Sequence, residues 1–277
     1  MVGTGYDNYS RDLALRGVVA PAQEAPDPVP AIANPVMEGP IKAAICIPTY
    51  NQAEFIGEAI ESVLNQTYRD YDLYVVNGGC TDNTDEVVSK YKGLFYIKLP
   101  YCSQNEKLNM VFKFTKAPVC VPLASDDYLH PDFLAKTIAG IRNGADFVYV
   151  NMKIVQTGKG GQTGLDRIKD LKEFQKWVGY NKLLSGNNCG LFWAYRKTCF
   201  DKVGGYSELL FADWDFILKI VDAGFKVMHI PEELGYYRRH AKAASSFYDW
   251  NKAIPYCEEV RERSRQRRAN AKHIGSV

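Results

Sequence analysis

From residue 41 onward, short apolar runs alternate with segments whose apolar residues recur at helical spacing. Runs of this length predict buried strands, and the spacing between them predicts amphipathic helices. The predicted strands are Ile41–Ile47, Leu73–Val76, Leu94–Leu99, Val119–Leu123, Phe147–Val150 and Lys226–Ile230. The predicted helices are Ala53–Leu64, Thr81–Tyr91 with Thr81 or Asp82 as its N-cap, Glu106–Thr115 and Asp213–Ala223. Strands that alternate with helices form right-handed βαβ units, so the pattern predicts an α/β fold with a Rossmann-like, mostly parallel sheet flanked by helices.

Two segments differ from this pattern in composition. Six prolines fall between residues 21 and 40, which favours an extended, polyproline-like arm over residues 1–40. A glycine-rich stretch, TGKGGQTG (157–164), has two interpretations, a plain surface connection or a mobile flap near a site. It is not a phosphate-binding P-loop, because no Gly-Lys-Ser/Thr follows it.

The composition limits the class of protein without identifying its chemistry. With 46% hydrophobic residues, 24% charged residues and a net charge of +2, the chain is predicted to be a soluble globular protein with no global signal for nucleic-acid binding. Its seven cysteines form no C-x-x-C pair and no zinc spacing. Their odd number, and the absence of a signal peptide, favour a cytoplasmic setting, and Cys46 and Cys120 are expected to be buried. No apolar stretch approaches the ~18 residues of a membrane span, so any membrane contact is expected to be peripheral, at the inner surface.

Unusual polar residues follow the predicted strands. They are Pro48-Thr49-Tyr50-Asn51 after the first strand, Asn77 to Asp82 after the second, Ser125-Asp126-Asp127 after the fourth, and Asp213-Trp214-Asp215 at the start of the late helix. The carboxyl ends of parallel strands share one rim of a sheet, which is where ligands bind in such folds. The pattern therefore predicts a site built from these loops.

The acidic residues of these loops each have two interpretations. Adjacent carboxylates at Asp126 and Asp127 repel each other unless a cation or hydrogen-bond donors intervene, so they form either a site for Mg²⁺ or Mn²⁺ or a chance pair that caps a helix. Asp213 is either a first-turn residue favoured by the helix dipole or a general base. His240 is either structural or a ligand of a metal or phosphate oxygen.

Three stretches together resemble the family 2 glycosyltransferases with the GT-A fold. They are residues 41–84, which contain PTYN, SVLNQTY and GGCTD in that order, residues 119–134 (VCVPLASDDYLHPDFL), and residues 211–240 (FADWDFILKIVDAGFKVMHIPEELGYYRRH). The resemblance implies a GT-A domain over residues 41–247, followed by a basic helical tail over residues 248–277. It also implies inverting transfer of a sugar from a nucleoside-diphosphate sugar to a hydroxyl of a glycan, glycolipid or other glycoconjugate, with Mn²⁺ or Mg²⁺ as cofactor.

The resemblance further implies roles for individual residues. Asp213 would be the general base, Asp127 and His240 would bind the metal, and Asp126 would approach the ribose. The residues implied to bind the nucleotide sugar are Pro48, Thr49, Tyr50, Asn51, Asn77, Gly78, Lys107, Ser125, Asp126 and Arg238. The chain departs from the common pattern at Gln52, Asn77, Ala124 and Ala212, positions that are often acidic in the family.

Two rival functions stay open. One is a catalytically silent module that binds a nucleotide sugar or a glycan on the same fold. The other is a sugar-1-phosphate nucleotidyltransferase, which would need a glycine-rich, basic loop after the first strand, where this chain has PTYNQAEF (48–55).

The end of the chain is basic, with Arg261, Arg263, Arg265, Arg267 and Arg268 close together. The favoured interpretation is a solvated helical tail with Glu–Arg pairs, because no strong apolar face accompanies the arginines. The alternatives are a surface for anionic lipid near a lipid-linked acceptor, or for nucleic acid. Residues 180–195, with Trp177 and Trp193, are expected on the acceptor side, although most aromatic residues belong to the core.

Overall fold

The computed structural model describes residues 37–157, 163–164, 180–241, 243 and 250–274. Most of the proline-rich arm, residues 158–162 of the glycine-rich loop, and Trp177 lie outside the described residues.

Nine strands and eight helices follow one another in the described part of the chain. The strands are β1 (Ala43–Thr49), β2 (Tyr71–Gly78), β3 (Phe95–Leu99), β4 (Val119–Pro122), β5 (Tyr128–Leu129), β6 (Phe147–Thr157), β7 (Thr163–Gly164), β8 (Trp193–Arg196) and β9 (Val227–Arg239). The helices are α1 (Ile56–Leu64), α2 (Thr84–Ser89), α3 (Gln104–Phe114), α4 (Phe133–Arg142), α5 (Tyr180–Ser185), α6 (Lys197–Val203), α7 (Ala212–Asp222) and α8 (Trp250–Ile274).

The strands form one mixed sheet in the order β3-β2-β1-β4-β8-β6-β9-β5, with β7 paired to the end of β6. Strands β3, β2, β1 and β4 are parallel, as the alternating pattern predicts. Strand β8 is antiparallel to both of its neighbours, β4 and β6, whereas β9 pairs with β6 in parallel. The sheet is therefore less uniformly parallel than the sequence pattern suggests.

The last long strand runs further than predicted. The expected strand ends at Ile230 because proline cannot donate a ladder hydrogen bond, yet β9 continues to Arg239. Val150 pairs with Ile230 and the next residue, Asn151, pairs with Glu233, so Pro231 lies in a bulge that takes up the extra residues. This continuation carries the chain to Arg238 and His240.

Helices cover both faces of the sheet. In β1, Ile45 and Ile47 belong to the apolar cluster that contains α1 and α4, while Cys46 between them belongs to the cluster that contains α3, α7 and α8. Both sides of β1 are thus buried, which accounts for its continuous apolar sequence. Cys46 and Cys120 are fully buried, as expected.

One rim of the sheet collects the carboxyl ends of β1, β2, β4, β6 and β9. Strands β1, β2 and β4 run in the same direction, and β6 runs with β4 because each is antiparallel to β8. Strand β9 is parallel to β6, so it ends at the same rim. Helix α7 leads into β9 through a short connection, which directs the N-terminus of α7 back toward that rim.

The basic end of the chain is a packed helix rather than a fully solvated tail. Helix α8 lies against α7 and buries Ala253, Cys257 and Val260. The buried face also includes Arg261, Ser264 and Arg268, which is why its apolar pattern is weak. None of the helices in the described part of the chain combines the length and apolar content that crossing a bilayer requires.

Candidate functional site

The loop after β1 is fixed to the loop after β2 by Asn51. Its side-chain oxygen accepts hydrogen bonds from the backbone amides of Thr81 (2.7 Å) and Asp82 (3.4 Å). Asn51 itself adopts a left-handed conformation, with φ 52°, which asparagine tolerates better than most residues. Of its neighbours, Pro48 lies inside β1 and is buried, whereas the Tyr50 ring is 44% exposed at the rim.

Asn77 is the next-to-last residue of β2, and its side chain is buried and held by hydrogen bonds to the protein. Its Oδ1 accepts from the amide of Cys80 (2.7 Å), and its Nδ2 donates to Asp85 (2.8 Å) and to the Tyr96 hydroxyl (2.9 Å). Lys98 and Tyr96 also donate to Asp85, and these hydrogen bonds hold the pKa of that carboxyl below its usual range. Both donors of the Asn77 amide are therefore used in shaping this loop.

The side chain of Lys107, on α3, extends to the same rim of the sheet. Its side chain is 2% exposed, its Nζ donates to the backbone oxygen of Thr49 (3.0 Å), and it lies 6.0 Å from the centre of the Tyr50 ring. Burial lowers the pKa of this ammonium group. Gly78 provides the room, because a Cβ there would lie 2.0 Å from Cε and 2.3 Å from Nζ of Lys107.

Asp126 and Asp127 face different partners although they are adjacent. Asp127 is 2% exposed, and its Oδ1 accepts from the backbone amide of Arg238 (2.8 Å). Burial raises the pKa of the Asp127 carboxyl well above its usual range, and the charge of Asp126 adds to this. Asp126 instead directs its Oδ2 to Nε2 of His240, 3.0 Å away. Ser125, just before them, is buried.

Arg238 joins this acidic loop to α1. Its Nε donates to the backbone oxygen of Asp126 (2.8 Å), and its guanidinium forms an ion pair with Glu58. The His240 ring packs on Phe55, with ring centres 4.3 Å apart. The end of β9 therefore brings Arg238 and His240 to Asp126. No three His, Cys, Asp or Glu side chains of the described residues form a metal-binding group by themselves.

The two aspartates at the start of α7 have different surroundings. Asp215 is fully buried and faces cations, with Lys219 at 3.4 Å and Arg267 of α8 at 3.0 Å. Asp213 is partly buried, and its Oδ2 accepts from Nδ2 of Asn187 (2.8 Å). Burial raises the pKa of the Asp213 carboxyl above its usual range.

The aromatic residues expected on the acceptor side belong largely to the core. Trp193 is 2% exposed and lies 5.6 Å from Phe147 between ring centres, and Tyr195 is fully buried. Asn187, from the turn after α5, is the residue of this stretch that contacts Asp213. Sequence reasoning named the stretch but not this residue, because no motif marks it.

Comparison with known proteins gives a consistent result. The model of glycosyl transferase family 2 matches residues 44–204, more than half of the chain. The poly(ribitol-phosphate) β-N-acetylglucosaminyltransferase TarP of Staphylococcus aureus (strain N315) is 40% identical over 96 residues, which cover 32% of this chain and 29% of that protein. The chain spans only about a tenth of the length of the chondroitin and hyaluronan synthases of Pasteurella multocida, which it also matches.

Solved structures show the same fold. TarS 1-349 of S. aureus in complex with UDP-GlcNAc superposes with a TM-score of 0.65 at 19% identity, covering 83% of this chain and 71% of that one. The mannosyltransferase PcManGT from Pyrobaculum calidifontis, in complex with GDP-Man and Mn²⁺, has a TM-score of 0.57 at 16% identity and covers 98% of this chain and 82% of that one. These likenesses confirm the predicted GT-A fold.

Proposed function

The chain belongs to glycosyl transferase family 2, and we propose that it transfers a sugar from a nucleoside-diphosphate sugar to an acceptor hydroxyl, with inversion at the anomeric carbon. The observation that carries the proposal is the meeting of Asp126, His240 and Arg238 at the rim where Thr49 and Lys107 also lie. The donors held by TarS and PcManGT, UDP-GlcNAc and GDP-Man, support the donor class.

The donor would lie along the ends of β1 and β2. The exposed Tyr50 ring offers a face on which a nucleobase can stack. The Lys107 ammonium has three donors, one of which is used by the backbone oxygen of Thr49. Its positive charge, buried beside the end of β1, suits the binding of a diphosphate.

Asp126 and His240, which meet beside the end of β9, fit a divalent cation. Mg²⁺ and Mn²⁺ are usually held by one or two carboxylates together with substrate phosphates, so a large protein ligand set is not required. The family resemblance implies that Asp127 and His240 bind the metal, but His240 contacts Asp126, and Asp127 accepts a hydrogen bond from a backbone amide. We therefore assign metal binding to Asp126 and His240. Asp127 instead fixes the end of β9 through its hydrogen bond with the backbone amide of Arg238. A bound divalent cation would stabilise the negative charge that develops on the leaving diphosphate.

Asp213 would act as the general base. The acceptor oxygen forms its bond to the anomeric carbon while the bond from that carbon to the diphosphate oxygen breaks, and the nucleoside diphosphate leaves with the electron pair. The acceptor proton moves to the Asp213 carboxylate and from there to solvent. Because burial raises the pKa of this group, activity should fall as the pH drops through that pKa and the carboxylate becomes protonated.

The test is the Asp213→Asn variant, assayed with UDP-, GDP- and dTDP-sugars in the presence and absence of Mn²⁺. The amide cannot accept the proton, so transfer should fall by about 10²- to 10⁴-fold while donor binding, measured by calorimetry, is retained. Asp201→Asn, on the exposed end of α6, is the control and should keep wild-type activity. Undiminished transfer by Asp213→Asn would refute the assignment of the base, and no turnover of any donor by the wild type would refute the function.

A further inference from the structure

The turn between α5 and β8 places one amide against the proposed base. We infer that Asn187 is a positioning residue for Asp213, whose carboxylate it orients for proton transfer. The inference rests on the proposed function, since it concerns the same reaction. It adds a residue that belongs to none of the three stretches that resemble the family.

The Asn187 amide is itself immobilised by the turn. Its Oδ1 accepts from the backbone amide of Cys189 (3.1 Å), while its Nδ2 donates to the backbone oxygen of Gly190 (3.0 Å) and to Asp213 (2.8 Å). Both donors of the amide nitrogen are therefore in use. A donor that is fixed before the substrate binds needs no reorganisation during the reaction, which is what orienting a catalytic group requires.

The Asn187 amide beside Asp213 is neutral, whereas the nearby cations form ion pairs with the other acidic residues of α7. Lys219 and Arg267 contact Asp215, and Arg267 and Arg268 contact Asp222. A cation beside Asp213 would favour its charged form strongly and make it a weaker base. A neutral amide also fixes the carboxylate but favours its charged form less than a cation would. The arrangement therefore suits a base more than a structural ion pair.

The other groups that face Asp213 are few among the described residues. The backbone amides of Asp213 and Trp214 also donate toward the carboxylate, and the titratable Tyr206 phenol lies near it. From α8, Arg261 lies over the Trp214 ring rather than over Asp213. Removing the Asn187 hydrogen bond should therefore leave burial as the dominant influence and raise the pKa of Asp213 further.

The experiment compares Asn187→Ala and Asn187→Asp with Asn188→Ala. Asn187→Asp keeps the shape and the acceptor for Cys189 but replaces the donor with a second carboxylate, so it tests the idea even if Asn187→Ala folds poorly. Both Asn187 variants should lower kcat about tenfold or more and move the acid limb of the pH profile to higher pH, with the larger move in Asn187→Asp. Asn188 donates to Gly186 instead, so Asn188→Ala should leave that limb in place.

A second readout separates this inference from the proposed function. The carboxyl carbon of Asp213, identified in ¹³C NMR spectra by its loss in Asp213→Asn, can be titrated without any substrate. A pKa that rises in both Asn187 variants supports the inference whether or not the assay has found the donor. An unchanged pKa and an unchanged acid limb, in a protein that transfers sugar and loses transfer in Asp213→Asn, would overturn the positioning role and leave the function intact.

Discussion

Gly78 shows how a single missing side chain can shape the site. Lys107 passes Gly78, the last residue of β2, on its way to the backbone oxygen of Thr49, and a Cβ at Gly78 would overlap Cε and Nζ of the lysine. The Gly-Gly turn is therefore more than a tight corner, because one of its two glycines makes room for a buried cation.

The Gly78→Ala substitution should weaken nucleotide binding by displacing Lys107. Overpacking of this kind costs about 1–3 kcal/mol of stability, and the shifted ammonium should weaken binding of a nucleoside diphosphate, measured by calorimetry. Gly93→Ala is a matched control, since its Cβ meets open space and its cost comes only from a positive φ of 78°. Binding equal to wild type in Gly78→Ala, with stability reduced as in Gly93→Ala, would contradict the role of the glycine.

The sequence predicts which loops form the site better than how each side chain points. Strand ends in a parallel sheet share a rim, and that rule brings Thr49, Asn77 and Asp126 together. It says nothing about which of two adjacent carboxylates meets His240, because that depends on the loop between β4 and β5. Asn187 could not be identified either, since its contact with Asp213 spans 26 residues and exists only in the folded chain.

Helix α8 illustrates why a weak apolar pattern does not mean a solvated helix. Asp222 of α7 is buried, and it accepts hydrogen bonds from Ser264 (2.7 Å), Arg267 (2.9 Å) and Arg268 (2.8 Å). Arg268 also lies over the Tyr180 ring, 3.4 Å from its centre. Polar residues thus form much of the contact, and a sequence pattern that counts apolar residues does not detect it.

The Asp222→Asn substitution should loosen this helix pair. It leaves two arginines beside an uncharged group, and breaking a buried ion pair from one side costs about 3 kcal/mol. The free energy of unfolding, from urea denaturation, should fall by about that amount. Glu259→Gln removes an exposed pair with Arg263 on the same helix and should cost less than about 1 kcal/mol. Equal, small losses in both variants would show that α8 contributes little through these ion pairs.

The two halves of the sheet differ in how far local pattern determines them. From β1 to β4 strands alternate with helices along the chain, and this pattern predicts that these strands run parallel, as they do. Beyond β4 the order depends on antiparallel β8, which enters from a distant part of the chain, and on a bulge at Pro231. Those pairings are non-local, so propensity and periodicity alone do not specify them, although the family resemblance implies the fold as a whole.

The rim draws on both halves, so donor binding should stabilise the whole domain. Lys107 and Thr49 come from the parallel half, whereas Arg238 and His240 come from β9. A ligand that binds only the native state at one hundred times its Kd adds about 2.7 kcal/mol, which corresponds to roughly 5–10 °C in Tm for a domain of this size.

The correct nucleoside diphosphate with Mn²⁺ should therefore raise Tm more than either alone. The matching nucleoside without phosphates should give little shift, and His240→Ala should remove the dependence on Mn²⁺. A Tm that responds equally with and without Mn²⁺ in the wild type would contradict a metal held by Asp126 and His240.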